Sequence, residues 1–386
     1  MKIALFGGSF DPVHTEHIRL VESAIQSLQL DKLFIMPACK PPHKPGKELT
    51  DDKHRLETCR LAFAKIEKAE VCDYEMQKGG VSYTYETCEH FKKLYPTAKL
   101  YFLVGTDMLR DFPAWKNTQS ILQNATLAVC ARNEKESWLE SERAAFYKRF
   151  KTSFEVIAYY GKDISSTRLR VLLGAGENVG DFIPAPALSY IKSHKLYEIK
   201  NADKALKLLT EKRKLHSLKV AEMAAKKAVQ MRLSERKAIT ASLFHDCAKY
   251  IDEGDERLQG FCLPTEFGKV PKSVWHQFAG AYLAEHYFGV KDEEILNAIK
   301  YHTSGKENMT PLEKLLFLAD TLEESRTFDG VEYLRELFWK DKGENALDRC
   351  LEETLACTLK HLKTTGGEIY PLTQKAYEYI KKVGKL

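Results

Sequence analysis

The sequence predicts an α/β domain built on a parallel sheet, followed by an all-α domain. The first 160 residues alternate short apolar runs with amphipathic stretches. Beyond residue 197 the apolar residues recur instead at i, i+3 and i+4. The two textures meet at a short polar segment, YEIKNAD (197–203), which sets the domains at 1–198 and 204–386. A chain of 386 residues has room for two ordinary domains.

Strands are expected at KIALF (2–6), KLFIMPA (32–38), AEVCDYEM (69–76), KLYFLVG (99–105), ATLAVCA (125–131) and FEVIAYY (154–160). Helices near 17–29, 52–67, 84–94 and 138–150 separate them, which argues a parallel sheet covered on both faces. Ligands of such sheets gather at the carboxyl ends of the strands. In the second half, helices are expected at 204–231, 234–251, 276–289, 292–303 and 311–326, with no convincing strand.

Composition excludes several classes. The chain is 44% hydrophobic and 29% charged, which rules out wholesale disorder. Lys plus Arg (59) exceed Asp plus Glu (54) by 5, too small a surplus to suggest a nucleic-acid partner. The nine cysteines form no C-x-x-C pair, so reduced thiols in a cytoplasmic protein are expected. MKIALFGGSF opens on a strand that meets Gly-Gly and Asp11, not a signal sequence, and no window is long enough to span a membrane. A homo-oligomer is compatible with the sequence, which does not specify one.

GGSFDPVHTEH (7–17) follows the first strand immediately. Gly7 and Gly8 let the backbone turn sharply and approach a ligand. His14 and His17, three apart at a helix start, share a face beside free N–H groups suited to phosphate. Alone, the turn reads equally as a tight loop with two solvent-facing histidines. Near the end of the domain, Ser165, Ser166 and Thr167 of ISSTRLR (164–170) can cap a second helix facing phosphate. Arg168 or Arg170 can add charge-assisted bonds there.

These two stretches resemble the G-G-x-F-D-P-x-H-x-G-H and I-S-S-T-x-x-R signatures of the nucleotidyltransferase superfamily, which implies a Rossmann-like fold. With ACKPPHK (38–44), VSYTYET (81–87) and FLVGTDMLRDFPAWK (102–116), the first half is similar to bacterial nicotinate-nucleotide adenylyltransferase, the NadD family. That resemblance implies that Gly7, Gly8, Ser9, Phe10, Gly105, Asp107, Ser165, Ser166 and Thr167 serve ATP. It implies Lys40, His43, Lys44, Ser82, Tyr83, Thr84, Trp115 and Arg132 for nicotinate mononucleotide, with Trp115 stacked on the pyridine. His14, His17 and Arg170 would be the catalytic donors, with Mg²⁺ accompanying ATP. No cysteine or serine is paired with a base, so direct in-line displacement is expected. Glu16 departs from the superfamily, which usually carries Gly there; its side chain would crowd the nucleotide and its charge oppose phosphate.

The helical half carries His216, His245, Asp246, His276, His302 and Asp320 in five segments, a donor mixture suited to Fe, Mn or Zn. Singly, each histidine reads as a packed or surface residue. The ordered set resembles the HD-domain phosphohydrolases, whose four-histidine version implies two metals that activate water and clamp phosphate. RKLHSLKVAEMA, FHDCAKY, WHQFAGA and YHTSGKENMTPLEKLLFLADTLEESR resemble the YqeK family in particular. That family hydrolyses diadenosine tetraphosphate symmetrically to two ADP. The resemblance implies a pair of Fe ions (or Mn or Zn), catalytic roles for Asp246 and Lys249, and matches at Glu323 and Arg326. Competing readings make the helical half a regulatory nucleotide or metal sensor, or a structural module for oligomerisation. Nicotinamide mononucleotide or phosphopantetheine are the alternative first substrates, and cyclic dinucleotides or nucleoside triphosphates the alternative second ones.

Overall fold

The computed structural model describes residues 1–42, 48–132, 136–159, 161–265, 268–340 and 345–383. It divides into two compact units. The first comprises Met1–Pro45, Leu49–Leu169 and Val179–Leu196; the second comprises Gly46–Glu48, Arg170–Asn178 and Tyr197–Leu386.

In the first unit β1 (Lys2–Gly8), α1 (Thr15–Leu28), β2 (Lys32–Pro37), α2 (Asp52–Phe63) and β3 (Ala69–Val71) come in order. They are followed by α3 (Tyr74–Lys78), α4 (Thr84–Leu94), β4 (Lys99–Gly105), α5 (Thr106–Asp111), a 3₁₀ turn (Phe112–Ala114) and α6 (Thr118–Asn124). Then come β5 (Thr126–Arg132), α7 (Glu136–Phe150), β6 (Glu155–Tyr159), α8 (Ser166–Gly174) and α9 (Ala185–Ser193). The strands form one parallel sheet in the order β3-β2-β1-β4-β5-β6. Ile3–Phe6, Leu100–Val104 and Leu127–Ala131 are continuously buried, as strands covered on both faces require. The order reverses between β1 and β4, opening a crevice outside the carboxyl ends of those strands.

The strand expected at 69–76 is a three-residue edge strand followed by helix. Tyr74 stacks on His90 at 3.8 Å, and the buried Glu75 accepts from the Thr87 hydroxyl at 2.8 Å. Both contacts pull the chain off the sheet toward α4, a tertiary effect that alternation of side chains does not report.

The second unit contains α10 (Ala202–Leu206), α11 (Glu211–Gln230), α12 (Glu235–Phe244), α13 (Lys272–His286) and α14 (Glu293–Tyr301). It continues with α15 (Pro311–Leu322), α16 (Val331–Lys340), α17 (Asp348–Thr365) and α18 (Pro371–Val383). No strand occurs among its described residues. The helix expected at 204–231 is broken, because Thr210 caps α11 by accepting from the Arg213 N–H at 3.3 Å. The helix expected at 234–251 stops at Phe244, after which the His245 ring bonds the Ser242 carbonyl at 2.6 Å. Alanines at 221, 224, 225, 228, 238, 241, 279 and 284 line the core and let these helices pack closely. Gly280 allows a close approach: a Cβ there would lie 3.3 Å from the His245 carbonyl. Among the described residues, no helix is long and apolar enough to cross a membrane.

Phe112 is fully buried, with its ring 5.4 Å from Trp115, 5.8 Å from Phe146 and 5.4 Å from Phe150. Phe112→Ala is expected to destabilise the first unit by about 3–5 kcal/mol. The check is the denaturant midpoint followed by tryptophan fluorescence, and an unchanged midpoint would exclude Phe112 from the load-carrying core.

Candidate functional site

The first unit gathers its two signature stretches at the carboxyl edge of the sheet. β1 ends at Gly8 and β4 at Gly105, on either side of the reversal in strand order. A Cβ on Gly8 would sit 3.0 Å from the Phe10 ring, so the glycine makes room for that ring. Phe10 itself adopts φ +46°, an uncommon conformation for a residue with a side chain, and packs edge-on to Phe6 and His17 at 5.3 and 5.0 Å. Its burial holds the turn.

At the start of α1 the His14 and His17 rings stack at 3.7 Å. His17 Nδ1 accepts from the His14 backbone N–H at 3.1 Å, which leaves the proton of a neutral His17 on Nε2. The second signature reaches back to the first, since the Ser166 hydroxyl donates to the Pro12 carbonyl at 3.0 Å. Ser165 Oγ accepts from the Arg168 N–H at 3.2 Å, capping α8. Thr167 lies in the first turn of the same helix, and Ser9 in the first loop.

Arg170 is placed differently from the expectation. It groups with the second unit, is buried, and its Nε donates to Glu235 at 3.2 Å. A carboxylate therefore engages the guanidinium expected to face phosphate.

The nucleotide-side expectations divide. Lys40 bridges to Val81 and its carbonyl accepts from the Ser82 N–H at 2.9 Å, while Ser82 Oγ accepts from the Cys39 N–H at 3.0 Å. Lys40, Ser82, Tyr83 and Thr84 are thus brought together. Lys116 lies over the Tyr83 ring at 4.2 Å, and the half-buried Trp115 packs on Phe102. Burial raises the carboxyl pKa of Glu75 behind this segment, against the lowering by Thr87 and Ser82. Asp107 is exposed at the start of α5. His43 and Lys44 lie outside the described residues, and Arg132 ends β5 with its side chain outside them.

Arg55 escaped the sequence reading. It is fully buried in α2 and donates to the carbonyls of Ser9 at 2.8 Å and Thr50 at 2.9 Å, and to Asp52. It clamps the Gly-Gly loop from behind. A single arginine in an amphipathic helix carries no signal of such a role.

In the second unit all six expected ligands converge. His216 comes from α11, His245 and Asp246 from the turn after α12, His276 from α13, His302 from the end of α14 and Asp320 from α15. His216, His245 and Asp246 form one compact triple of donor atoms; Asp246, His276 and His302 form another; His245, His302 and Asp320 form a third. Asp246 is fully buried, with Oδ2 3.1 Å from His245 Nε2 and Oδ1 3.3 Å from His276 Nε2. His216 Nε2 lies 2.8 Å from Asp320, and His276 Nε2 lies 3.2 Å from His302 Nε2. The far nitrogens are held as metal-ligand imidazoles require: His216 by Glu323 at 3.0 Å, His245 by Ser242 and His302 by the Ile299 carbonyl at 2.7 Å.

Electrostatics follow this packing. Burial would raise the Asp246 pKa, but His245, His276 and His302 overcome it and hold the carboxyl well below its ordinary range. Asp320 is likewise held well below its range by His216 and His245 against burial. Burial pushes His276 down to about 4 and also lowers His302, both in the direction of the neutral imidazole that a metal requires. Burial lowers the Lys249 pKa; its Nζ lies 3.1 Å from His276 Nε2 and 4.0 Å from Asp246 Oδ1. Further cations complete the rim: Arg213 pairs with Asp246, and Arg326 with Asp320 at 2.8 Å. Gln277, buried behind His276, accepts from the N–H groups of Thr303 at 3.1 Å and Ser304 at 2.9 Å, fixing the turn after His302. Arg213 and Gln277 sit inside the ligand segments, where proximity in sequence was the one available hint.

Comparison with known proteins follows the same division. Residues 5–172 match the cytidylyltransferase-like family and residues 213–325 the HD domain. A Mycoplasma genitalium protein named "probable nicotinate-nucleotide adenylyltransferase/Ap4A hydrolase" is 31% identical over 328 residues, covering 84% of this chain and 88% of its own. The chain belongs to this bifunctional family. A Clostridium tetani protein named "probable nicotinate-nucleotide adenylyltransferase" is 37% identical over 197 residues, 51% of this chain and 98% of its own. A crystal structure from Clostridium acetobutylicum, described as a predicted HD superfamily hydrolase involved in NAD metabolism, is 32% identical over 47% of this chain and 97% of its own, with a TM-score of 0.40.

The HD domain of this bifunctional family implies divalent metal binding, and the donors fit it. His245 Nε2 and Asp246 Oδ1 are buried and complete no hydrogen bond among the described residues, although other donor atoms surround them. Imidazole nitrogens and carboxylate oxygens crowded within a few ångströms form a donor set suited to a divalent cation. Asp246→Asn is expected to lower the divalent metal bound per chain, read by plasma mass spectrometry, about 2-fold or more. An unchanged metal content with intact helicity would remove Asp246 from the ligand set. In the first unit, Arg55→Ala is expected to raise the KM for ATP about 10-fold or more by freeing the Ser9 carbonyl. Steady-state kinetics on a variant with unchanged circular dichroism provides the check.

Proposed function

We propose that the chain carries two enzymes of nucleotide metabolism. The first unit transfers AMP from ATP to nicotinate mononucleotide, giving nicotinate adenine dinucleotide and pyrophosphate. The second hydrolyses diadenosine tetraphosphate symmetrically to two ADP. The observation that carries this reading is the alignment with a bifunctional relative across both halves, 88% of that relative's length.

In the first reaction the phosphate of nicotinate mononucleotide attacks the α-phosphorus of ATP in line, and pyrophosphate departs. ATP arrives with Mg²⁺. His14 and His17, at the start of α1, donate to phosphate oxygens, where negative charge grows in the transition state. Ser165, Ser166 and Thr167 present a second helix start to the phosphates. Lys40, Ser82, Tyr83 and Thr84 receive the pyridine nucleotide, with His43, Lys44, Trp115 and Arg132 assigned to the same substrate. Gly105 and Asp107 face the adenosine. The Glu235 pairing makes Arg170 a weaker candidate donor than its motif position suggests.

In the second unit His216, His245, Asp246 and Asp320 would hold one divalent ion, and Asp246, His276 and His302 the other. Fe is the proposed metal; Mn or Zn suits the same donors. Bound there, the metals supply an acidified water and charge stabilisation for phosphoryl transfer. Asp246 would contribute to both positions. Lys249, about one-third exposed at the rim, donates to a phosphate oxygen, and Arg213 and Arg326 balance the carboxylates. None of the nine cysteines forms a disulfide, in keeping with a cytoplasmic location.

The test is a product assay on the full chain, with ATP plus nicotinate mononucleotide in one reaction and diadenosine tetraphosphate in another. His17→Ala is expected to cut dinucleotide synthesis about 100-fold or more and leave hydrolysis unchanged. Asp246→Asn is expected to abolish hydrolysis and leave synthesis unchanged. Loss of both activities in either variant, or ATP plus AMP as hydrolysis products, would overturn the reading.

A further inference from the structure

Glu16 occupies the position where a small residue was expected, and its surroundings give it a use. Its side chain is 3% exposed in the first turn of α1, between His14 and His17. Leu20 and Ala24, at i+4 and i+8, are also buried, so Glu16 tops the stripe of α1 turned toward the interior. α1 starts just beyond the carboxyl end of β1, where the crevice opens. Oε1 accepts from the Arg19 guanidinium at 2.8 Å, which offsets the negative charge. Oε2 is buried and has no hydrogen-bond partner among the described residues.

An ionised carboxylate only accepts hydrogen bonds, so phosphate oxygens, which also accept, cannot satisfy Oε2. The missing partner must be a donor. Starting from phosphates held at His14 and His17, the first donors along ATP are the ribose hydroxyls; the adenine amine lies beyond the sugar. Acidic side chains in crevices of this topology accept from ribose hydroxyls elsewhere. We propose that Glu16 Oε2 accepts a hydrogen bond from a ribose hydroxyl of ATP and makes the first unit selective for the ribonucleotide. This rests on the adenylyl-transfer reading above. Glu16 is then a specificity residue in place of a steric obstacle, with Arg19 preventing its charge from opposing the phosphates.

The experiment compares kcat/KM for ATP, 2′-deoxy-ATP and 3′-deoxy-ATP in the full chain and in its Glu16→Gly and Glu16→Gln variants. The unaltered chain is expected to prefer ATP over one deoxy analogue by about 10- to 100-fold, the range of a hydrogen bond to a charged acceptor. Glu16→Gly should use all three within about 3-fold of one another, and Glu16→Gln should keep part of the preference. Equal preference in the full chain and Glu16→Gly would overturn the proposal, as would a variant effect confined to the Mg²⁺ requirement. Because each ratio is taken within one variant, a general loss of activity does not alter it. If the unaltered chain makes no dinucleotide from any of the three, the adenylyl-transfer reading itself fails and the proposal with it. Synthesis with an unmoved ratio sinks the proposal alone.

Discussion

Asp246 is a fully buried carboxylate shared among three imidazoles and an arginine, and the second unit is organised around it. Removing such a charge from water costs several kcal/mol unless opposite charge and hydrogen bonds replace the solvent. Four helices or helix ends supply that replacement, which fixes where each must stop and how closely each must approach. α12 ends where His245 and Asp246 must turn inward, and Gly280 lets α13 reach the His245 backbone. Small core residues elsewhere in these helices follow from the same demand for close approach.

The first unit answers a different constraint. Parallel strands bring their carboxyl ends to one edge, and the reversal of order between β1 and β4 leaves a crevice there. The loop that follows β1 must keep its shape at that edge. The Phe10 ring, the Arg55 clamp on Ser9 and the Ser166 bond to Pro12 fix that loop from three sides.

Much of this was legible in the residues. Alternating texture gave the parallel sheet, and all six strands occur within a few residues of their expected places, with β3 shortened by Tyr74 and Glu75. The ligand set was legible because His and Asp recur in order within separable helical segments, and the structure brings all six together. Helix ends were less visible: the apolar spacing runs unbroken through Thr210, although that residue caps a new helix. Residues acting from behind the loops, such as Arg55 and Gln277, were not legible, because their roles lie in contacts distant along the chain.

The sequence by itself determined the two architectures, the glycine-rich turn after β1, and the identity and order of the clustered His and Asp donors. Side-chain chemistry and local periodicity are written residue by residue, so they survive without coordinates. Only the tertiary structure decided which groups are available. Arg170 has the charge and motif position of a phosphate donor, yet a buried glutamate engages it. Glu16 looks like an obstacle, yet Arg19 balances it and leaves one buried oxygen open. Availability depends on which charges meet and how far water is excluded, and both are set by residues remote in sequence that folding brings into contact.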